Sequence, residues 1–345
     1  MNYFEKLLRP NILQLKPYSS ARDEYSGEAA VFLDANENPF NSPYNRYPDP
    51  YQRVLKQKIG KIKGIDASYI FLGNGSDEPI DVLYRAFCEP GIDNVVSINP
   101  TYGMYQVAAD INHVEVRRVL LTSGYQIDVP ALLAAADKRS KLLFLCSPNN
   151  PTGNCLHTAD IEAVLKGFNG IVVLDEAYID FAPGKSFLHR LAEFPNLVVL
   201  QTFSKAWGMA GLRLGMAFMD PALVRVFNKI KYPYNINILT QKTALDLLDH
   251  SVQMQKWVDE LLASREKLAA ELAKLPFVVH IYPSDSNFLL IKAHGARHIY
   301  QYLVDKQIIV RDRSSVALCE GCLRITVGSA DENMQLMEAL NQYQN

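Results

Sequence analysis

No run of apolar residues in this 345-residue chain approaches the length of a membrane span, and none opens it. The first residues, MNYFEKLLRPNILQLKPYSS, lack the apolar stretch and small-residue cleavage site of a secretory signal, so none is expected. Charge of one sign is missing as well. The 35 Lys and Arg stand against 37 Asp and Glu, a formal net charge of −2, which leaves no electrostatic footprint for nucleic acid or an anionic membrane. Cysteine is sparse and odd in number: Cys88, Cys146, Cys155, Cys319 and Cys322 are scattered, which argues against a disulfide framework and suits a reducing cytoplasm. Neither G-x-G-x-x-G nor G-x-x-x-x-G-K occurs, so dinucleotide and P-loop folds have no support. H-E-x-x-H is absent too, and His294 and His298 read as surface histidines. The C-x-x-C of Cys319 and Cys322 has no second pair to complete a zinc site; it is a redox pair or two ordinary, partly buried thiols.

What is present is an ordinary globular composition, 48% hydrophobic and 21% charged, over a length that suits one large domain and a smaller one. Short apolar runs recur through the middle of the chain: YIFL (69–72), NVVSI (94–98), KLLFLC (141–146), GIVVL (170–174), NLVVL (196–200) and GMAFM (215–219). They do not alternate, as expected of strands covered on both faces. Helical patterns lie between them; Ile80, Leu83, Tyr84 and Phe87 share one face, with Ser76 or Asp77 as cap and Pro79 in the first turn. The expected class is α/β, a large domain with a mostly parallel central sheet covered by helices, followed by a smaller α+β domain. The boundaries are placed at 1–35 for an N-terminal arm, 36–240 for the large domain and 241–345 for the small one. The small domain opens with an amphipathic helix carrying Met254, Trp257, Val258, Leu261, Leu268, Leu272 and Leu275. The strands FVVHIY, NFLLIKA, IIVRD and CLRITVG follow, and Ser329 with Glu332 predicts a capping box on the last helix.

In a parallel α/β sheet ligands bind beyond the carboxyl ends of the strands. YIFL delivers GNGSDE there, KLLFLC delivers SPNNPTG, GIVVL delivers DEAY and NLVVL delivers QTFSKAWG. Gly73 and Gly75 flank a strand-to-helix turn where backbone amides can meet an anion. Asp175 follows a buried run, where an acid is costly without a cation or several donors. Lys205 sits among apolar and hydroxyl residues; it is either an ordinary solvated lysine at a helix start or an amine that desolvation makes neutral and nucleophilic. Arg213, between glycines, can offer a planar fork to a phosphate.

Taken in order and spacing, SPNNPTG, LDEAY and TFSKAWGMAGLRLG resemble the fold type I pyridoxal-phosphate aminotransferases, from about residue 30 to the C-terminus. Within them LDANENP (33–39), RYPDP (46–50), PTYGMY (100–105) and the arginines of VRDR and LRITVG most resemble the histidinol-phosphate aminotransferases. The resemblance implies pyridoxal 5′-phosphate as cofactor, held covalently by Lys205, which then moves a proton to and from the substrate. Asp175 would pair with the pyridine nitrogen, Asn150 and Tyr178 with the phenolic oxygen, and Tyr102 would stack on the ring. The phosphate would meet Gly75, Ser76, Asp77, Thr202, Ser204 and Arg213. Tyr47 would reach it from a neighbouring subunit, which implies a homodimer. Arg324 and Arg311 would hold the carboxylate of glutamate and the phosphate of histidinol phosphate, with Tyr18 and Asn36 lining the pocket. Threonine-phosphate decarboxylase and an aromatic aminotransferase are the nearest alternatives. A ligand sensor in a transcription factor lacks the expected helix-turn-helix ahead of the fold. Asn149 receives no role.

Overall fold

The computed structural model describes residues 3–18 and 31–343. Strands β1 (Ile70–Asn74), β2 (Asn94–Asn99), β3 (Glu115–Leu120), β4 (Ser140–Cys146), β5 (Ile171–Asp175), β6 (Leu197–Thr202) and β7 (Leu214–Phe218) form a seven-stranded sheet ordered β1-β7-β6-β5-β4-β2-β3. The pairs from β6 through β3 are parallel, and β7 runs antiparallel to both its neighbours. The non-alternating Val, Ile and Leu of β4, β5 and β6 are explained by their position. Leu143, Leu145, Val172, Leu174 and Val199 feed one core, while Leu142, Phe144, Val173, Val198 and Leu200 feed another on the opposite face.

The helix Asp77–Phe87 forms as expected and buries Ile80, Leu83, Tyr84 and Phe87. Ser76 occupies its cap position, yet the side chain makes no capping hydrogen bond. One strand is not visible in the sequence reading. β3 reads EVRRVL because it lies at the sheet edge, where one flank is open and charges are tolerated; Arg117 there pairs with Asp137 at 2.8 Å.

A second, antiparallel sheet of four strands, ordered β10-β11-β9-β8, comprises β8 (Val278–Ile281), β9 (Phe288–Ala293), β10 (Arg311–Asp312) and β11 (Cys322–Thr326). It packs with the helices Ser251–Leu272, Ala296–Asp305 and Ala330–Asn341 around Leu268, Leu272, Ile299, Leu303, Leu323, Ile325, Leu336 and Leu340. The expected IIVRD strand shrinks to Arg311–Asp312, because the Ile308 N–H is taken by the Leu303 carbonyl at the preceding helix end. Trp257, placed on the apolar helix face from its spacing, is 43% exposed, while Val258 and Leu268 are buried. The capping box is present: Ser329 Oγ accepts from Glu332 N at 3.3 Å and Glu332 Oε2 accepts from Ser329 N at 2.7 Å.

All five cysteines are free thiols; Cys319 and Cys322 are buried in a turn closed by Cys322 N donating to Cys319 O at 2.9 Å. His294 and His298 are exposed. Among the described residues no helix is long and apolar enough to cross a membrane, and no cluster of His, Cys, Asp and Glu could hold a metal ion.

Candidate active site

Strand register assembles the site. In the β4–β5 ladder Cys146 stands opposite Asp175, and Ser147 N donates to Asp175 O at 2.9 Å, so SPNNPTG starts beside DEAY. In the β6–β7 ladder Thr202 faces Gly215. One cavity opens at this edge, and Gly75, Ser76, Asp77, Tyr102, Asn150, Asp175, Tyr178, Thr202, Ser204, Lys205 and Arg213 all line it.

At its floor lies Asp175, 2% exposed. Its Oδ2 accepts from Tyr105 Oη at 2.7 Å and its Oδ1 from Ala177 N at 3.0 Å. Burial lifts its pKa to about 6; the Tyr105 and Ala177 hydrogen bonds and Lys205 pull the other way, and Asp77 adds to the rise. Burial wins because two neutral donors do not replace a cation. Tyr105 was missed in the sequence. It lies one helical turn from Tyr102, fully buried, its ring stacked on Phe144 at 4.7 Å. A buried tyrosine hydroxyl needs a partner, which was the available signal; the partner lies seventy residues away.

The wall nearest β1 is built for an anion. Gly75 has φ +69°, which favours glycine, and donates its N–H to Arg213 O at 2.8 Å; a Cβ there would lie 2.7 Å from Arg213 Nη2 and push the guanidinium aside. The Asp77–Phe87 helix starts at this wall, and at a helix start the first N–H groups, here those of Asp77 and Glu78, have no carbonyl partner within the helix. Thr202 Oγ1 donates to Ser204 Oγ at 3.0 Å, Tyr102 Oη donates to Asp77 Oδ1 at 3.1 Å, and Arg213 Nη2 stands 3.7 Å from Asp77 Oδ2 with its side chain half exposed.

Opposite, Asn150 Nδ2 donates to Tyr178 Oη at 3.5 Å, and its Oδ1 accepts from Arg324 Nη1, which reaches over from β11. Asn149 proves to be the pin of the loop. It is fully buried, donates to Pro100 O at 3.0 Å and Thr152 Oγ1 at 2.9 Å, and accepts from Thr101 Oγ1 at 2.9 Å. Lys205 Nζ lies 5.4 Å from the centre of the Tyr178 ring. The side chain is open to the cavity, yet the surrounding protein removes enough water to lower its pKa; Arg324 lowers it further, while Asp175 and Asp77 oppose. The Arg324 guanidinium lies 5.3 Å from the Phe288 ring centre, and Arg311 is its cross-strand partner on β10. The remaining candidates are not brought to this cavity. Tyr18 is 70% exposed, Asn36 is exposed with φ 54°, and Tyr47 is exposed and stacked on Tyr234 at 4.3 Å.

A buried acid, a desolvated lysine and an anion cradle around one cavity define a site for an anionic cofactor or substrate that reacts with an amine. The chain belongs to the aminotransferase class I and II family, whose model matches residues 24–340. It is 57% identical over 345 residues to the histidinol-phosphate aminotransferase of Bacteroides thetaiotaomicron, covering 100% of each chain. With that of Parabacteroides distasonis it shares 56% identity over 340 residues and 99% of each chain. The solved histidinol-phosphate aminotransferase from Sinorhizobium meliloti, in complex with pyridoxal-5′-phosphate, matches with a TM-score of 0.80 at 25% identity, covering 89% of this chain and 88% of that one.

Proposed function

We propose that this protein transfers the amino group of L-histidinol phosphate to 2-oxoglutarate, giving imidazole-acetol phosphate and L-glutamate, with pyridoxal 5′-phosphate as cofactor. The observation that carries the reading is the joint presence, in one cavity, of the cation-deficient Asp175, the desolvated Lys205 and the Gly75 cradle. These residues fit the cofactor: its ring nitrogen supplies the N–H⁺ that the buried Asp175 lacks, and its phosphate suits the helix start. When bound, pyridoxal phosphate supplies an electron sink for the charge left by removal of the substrate's α-proton.

The chain's own residues do the rest. Lys205 would hold the cofactor through its amine and, when free, take and return the α-proton at Nζ; the loss of water around it lowers its pKa and favours the free amine. Asp175 keeps the ring nitrogen protonated, and Tyr105 and Ala177 N hold the carboxylate in place. Asn150 and Tyr178 would hold the phenolic oxygen, Tyr102 would cover the ring, and Gly75, Ser76, Asp77, Thr202, Ser204 and Arg213 would hold the phosphate. Arg324 and Arg311 orient the anionic ends of the substrates, since carboxylate and phosphate each fit a guanidinium fork.

We also place a second copy of the chain against this one, with Tyr47 completing its neighbour's phosphate site and Tyr18 and Asn36 closing the substrate pocket. The support is the exposure of apolar side chains in the same stretch, among them Leu33 at 91% and Phe40 at 76%. The buried free thiols agree with a cytoplasmic setting. Sedimentation at twice 38.8 kDa is expected. The deciding experiment follows the bound cofactor's absorption spectrum: histidinol phosphate shifts it and 2-oxoglutarate restores it. No shift with histidinol phosphate, or carbon dioxide released from phosphothreonine, overturns the substrate assignment.

A further inference from the structure

The small sheet carries a third guanidinium beside Arg311 and Arg324. Arg311 is the cross-strand partner of Arg324. Arg313 continues the ladder, donating its N–H to Cys322 O at 2.9 Å, and the two-residue period of extended chain returns it to the face of Arg311. The principal charges acting on Arg313 are Arg324 and Arg311, then the Cys319 thiol and the Tyr178 hydroxyl, with no carboxylate among them. Burial and the two arginines together lower its pKa to about 10. Arg324 is likewise lowered, by burial first, with Arg311 adding to the effect. Nε of Arg313 and Nε of Arg324 are both buried without a hydrogen-bond partner.

Two partly buried guanidiniums, Arg313 and Arg324, with the exposed Arg311 beside them and no carboxylate among the principal charges acting on them, are costly unless a ligand supplies the charge. The acids lining the cavity are engaged elsewhere: Asp175 by Tyr105 and Ala177, and Asp77 by Tyr102 and Arg213. One carboxylate cancels one positive charge, whereas a phosphate monoester near pH 7 carries close to two negative charges on three acceptor oxygens. Arg324 joins this group to the cavity, because its Nη1 donates to Asn150 Oδ1 and Asn150 lines the cavity beside Tyr178.

We propose that Arg313 is a specificity-determining residue, the third member of an arginine triad with Arg311 and Arg324 that selects amines ending in a phosphate dianion over those ending in a carboxylate or a neutral ring. The proposal rests on the phosphorylated-amine reading above and adds to it the residue that favours phosphate over carboxylate.

The test uses the cofactor-loaded enzyme. Inorganic phosphate is measured as an inhibitor of the reaction with glutamate, beside KM and kcat for glutamate and for histidinol phosphate. Arg313→Gln is expected to weaken phosphate inhibition by about 10- to 100-fold, the loss of one charge-assisted contact. KM for histidinol phosphate rises in parallel, KM for glutamate rises several-fold less, and the loss falls on KM more than on kcat. Arg313→Lys keeps the charge but not the fork and recovers part of the phosphate inhibition; it also serves if the Gln variant does not fold. Unchanged phosphate inhibition overturns the proposal, and so does an equal loss for phosphate and glutamate. Wild-type enzyme that fails to turn over histidinol phosphate sinks the substrate reading alone, because the contrast between phosphate and glutamate still decides Arg313.

Discussion

Asp175 lines the cavity and Arg324 meets its wall through Asn150, and the protein treats them differently. The acid is locked by Tyr105, from a helix of the large domain, and by Ala177 N, in the turn after its own strand, so its position is set before anything binds. The arginine donates to Asn150, in the loop after β4, and among the described residues its Nε has no partner. On the proposed function, the group that would serve a resident cofactor is pre-positioned by neutral donors, and the group that would accept two substrates in turn is left with free hydrogen-bonding capacity. The large-sheet edge is therefore expected to govern chemistry and the small-sheet face to govern selection.

The sharpest break in that division is Lys205→Ala. It should lower kcat by at least about 10⁴-fold, the span of general acid–base catalysis by a positioned side chain. Borohydride treatment followed by mass spectrometry should then find no cofactor mass on the chain, where the wild type carries it at Lys205. Asp175→Asn comes next, with about 10²- to 10³-fold lost in kcat. Its stability effect has the opposite sign. The folded-state pKa of about 6 lies above the ordinary 3.8, so burying the ionised form is unfavourable. The stability of the cofactor-free wild type falls as pH rises from about 4 to about 6 on this account, and stays lower above it. Urea unfolding of the cofactor-free proteins should show the Asn variant gaining on the wild type by about 1–3 kcal/mol between pH 4 and pH 8. A constant difference across that range would mean that Asp175 is ionised without penalty.

On the small-sheet side, Arg324→Gln should raise KM for glutamate and for histidinol phosphate, each by about 10- to 100-fold, with a smaller change in kcat. Asn150→Ala sits between the two regions and should cost about tenfold, divided between kcat and KM, since it removes one hydrogen bond to each. The smallest effect belongs to Ser329→Ala, which breaks the capping box for about 1 kcal/mol in chemical unfolding and leaves both KM values alone.

The two regions also differ in how far they could be read in advance. β4, β5 and β6 were legible because burial on both faces demands unbroken Val, Ile and Leu, and β3 was not because an edge tolerates charge. Lys205, Asp175 and Arg213 were legible as polar residues out of character with their apolar surroundings. Tyr105 and Asn149 were not, since a tyrosine on a helix and an asparagine in a turn are ordinary until their partners, seventy and forty-nine residues away, are known.

What the sequence determined by itself is the α/β order, the strand ends that carry polar residues, the capping box at Ser329 and the resemblance that names the chemistry. Each depends on local periodicity or on short motifs, which a linear reading contains. The tertiary structure decided which donors hold Asp175, that Arg213 closes over Gly75, that Asn149 pins the loop, and that Arg313 joins Arg311 and Arg324. Those facts depend on strand register and on contacts between distant segments. A register shift of one residue would turn each side chain to the other face of its sheet.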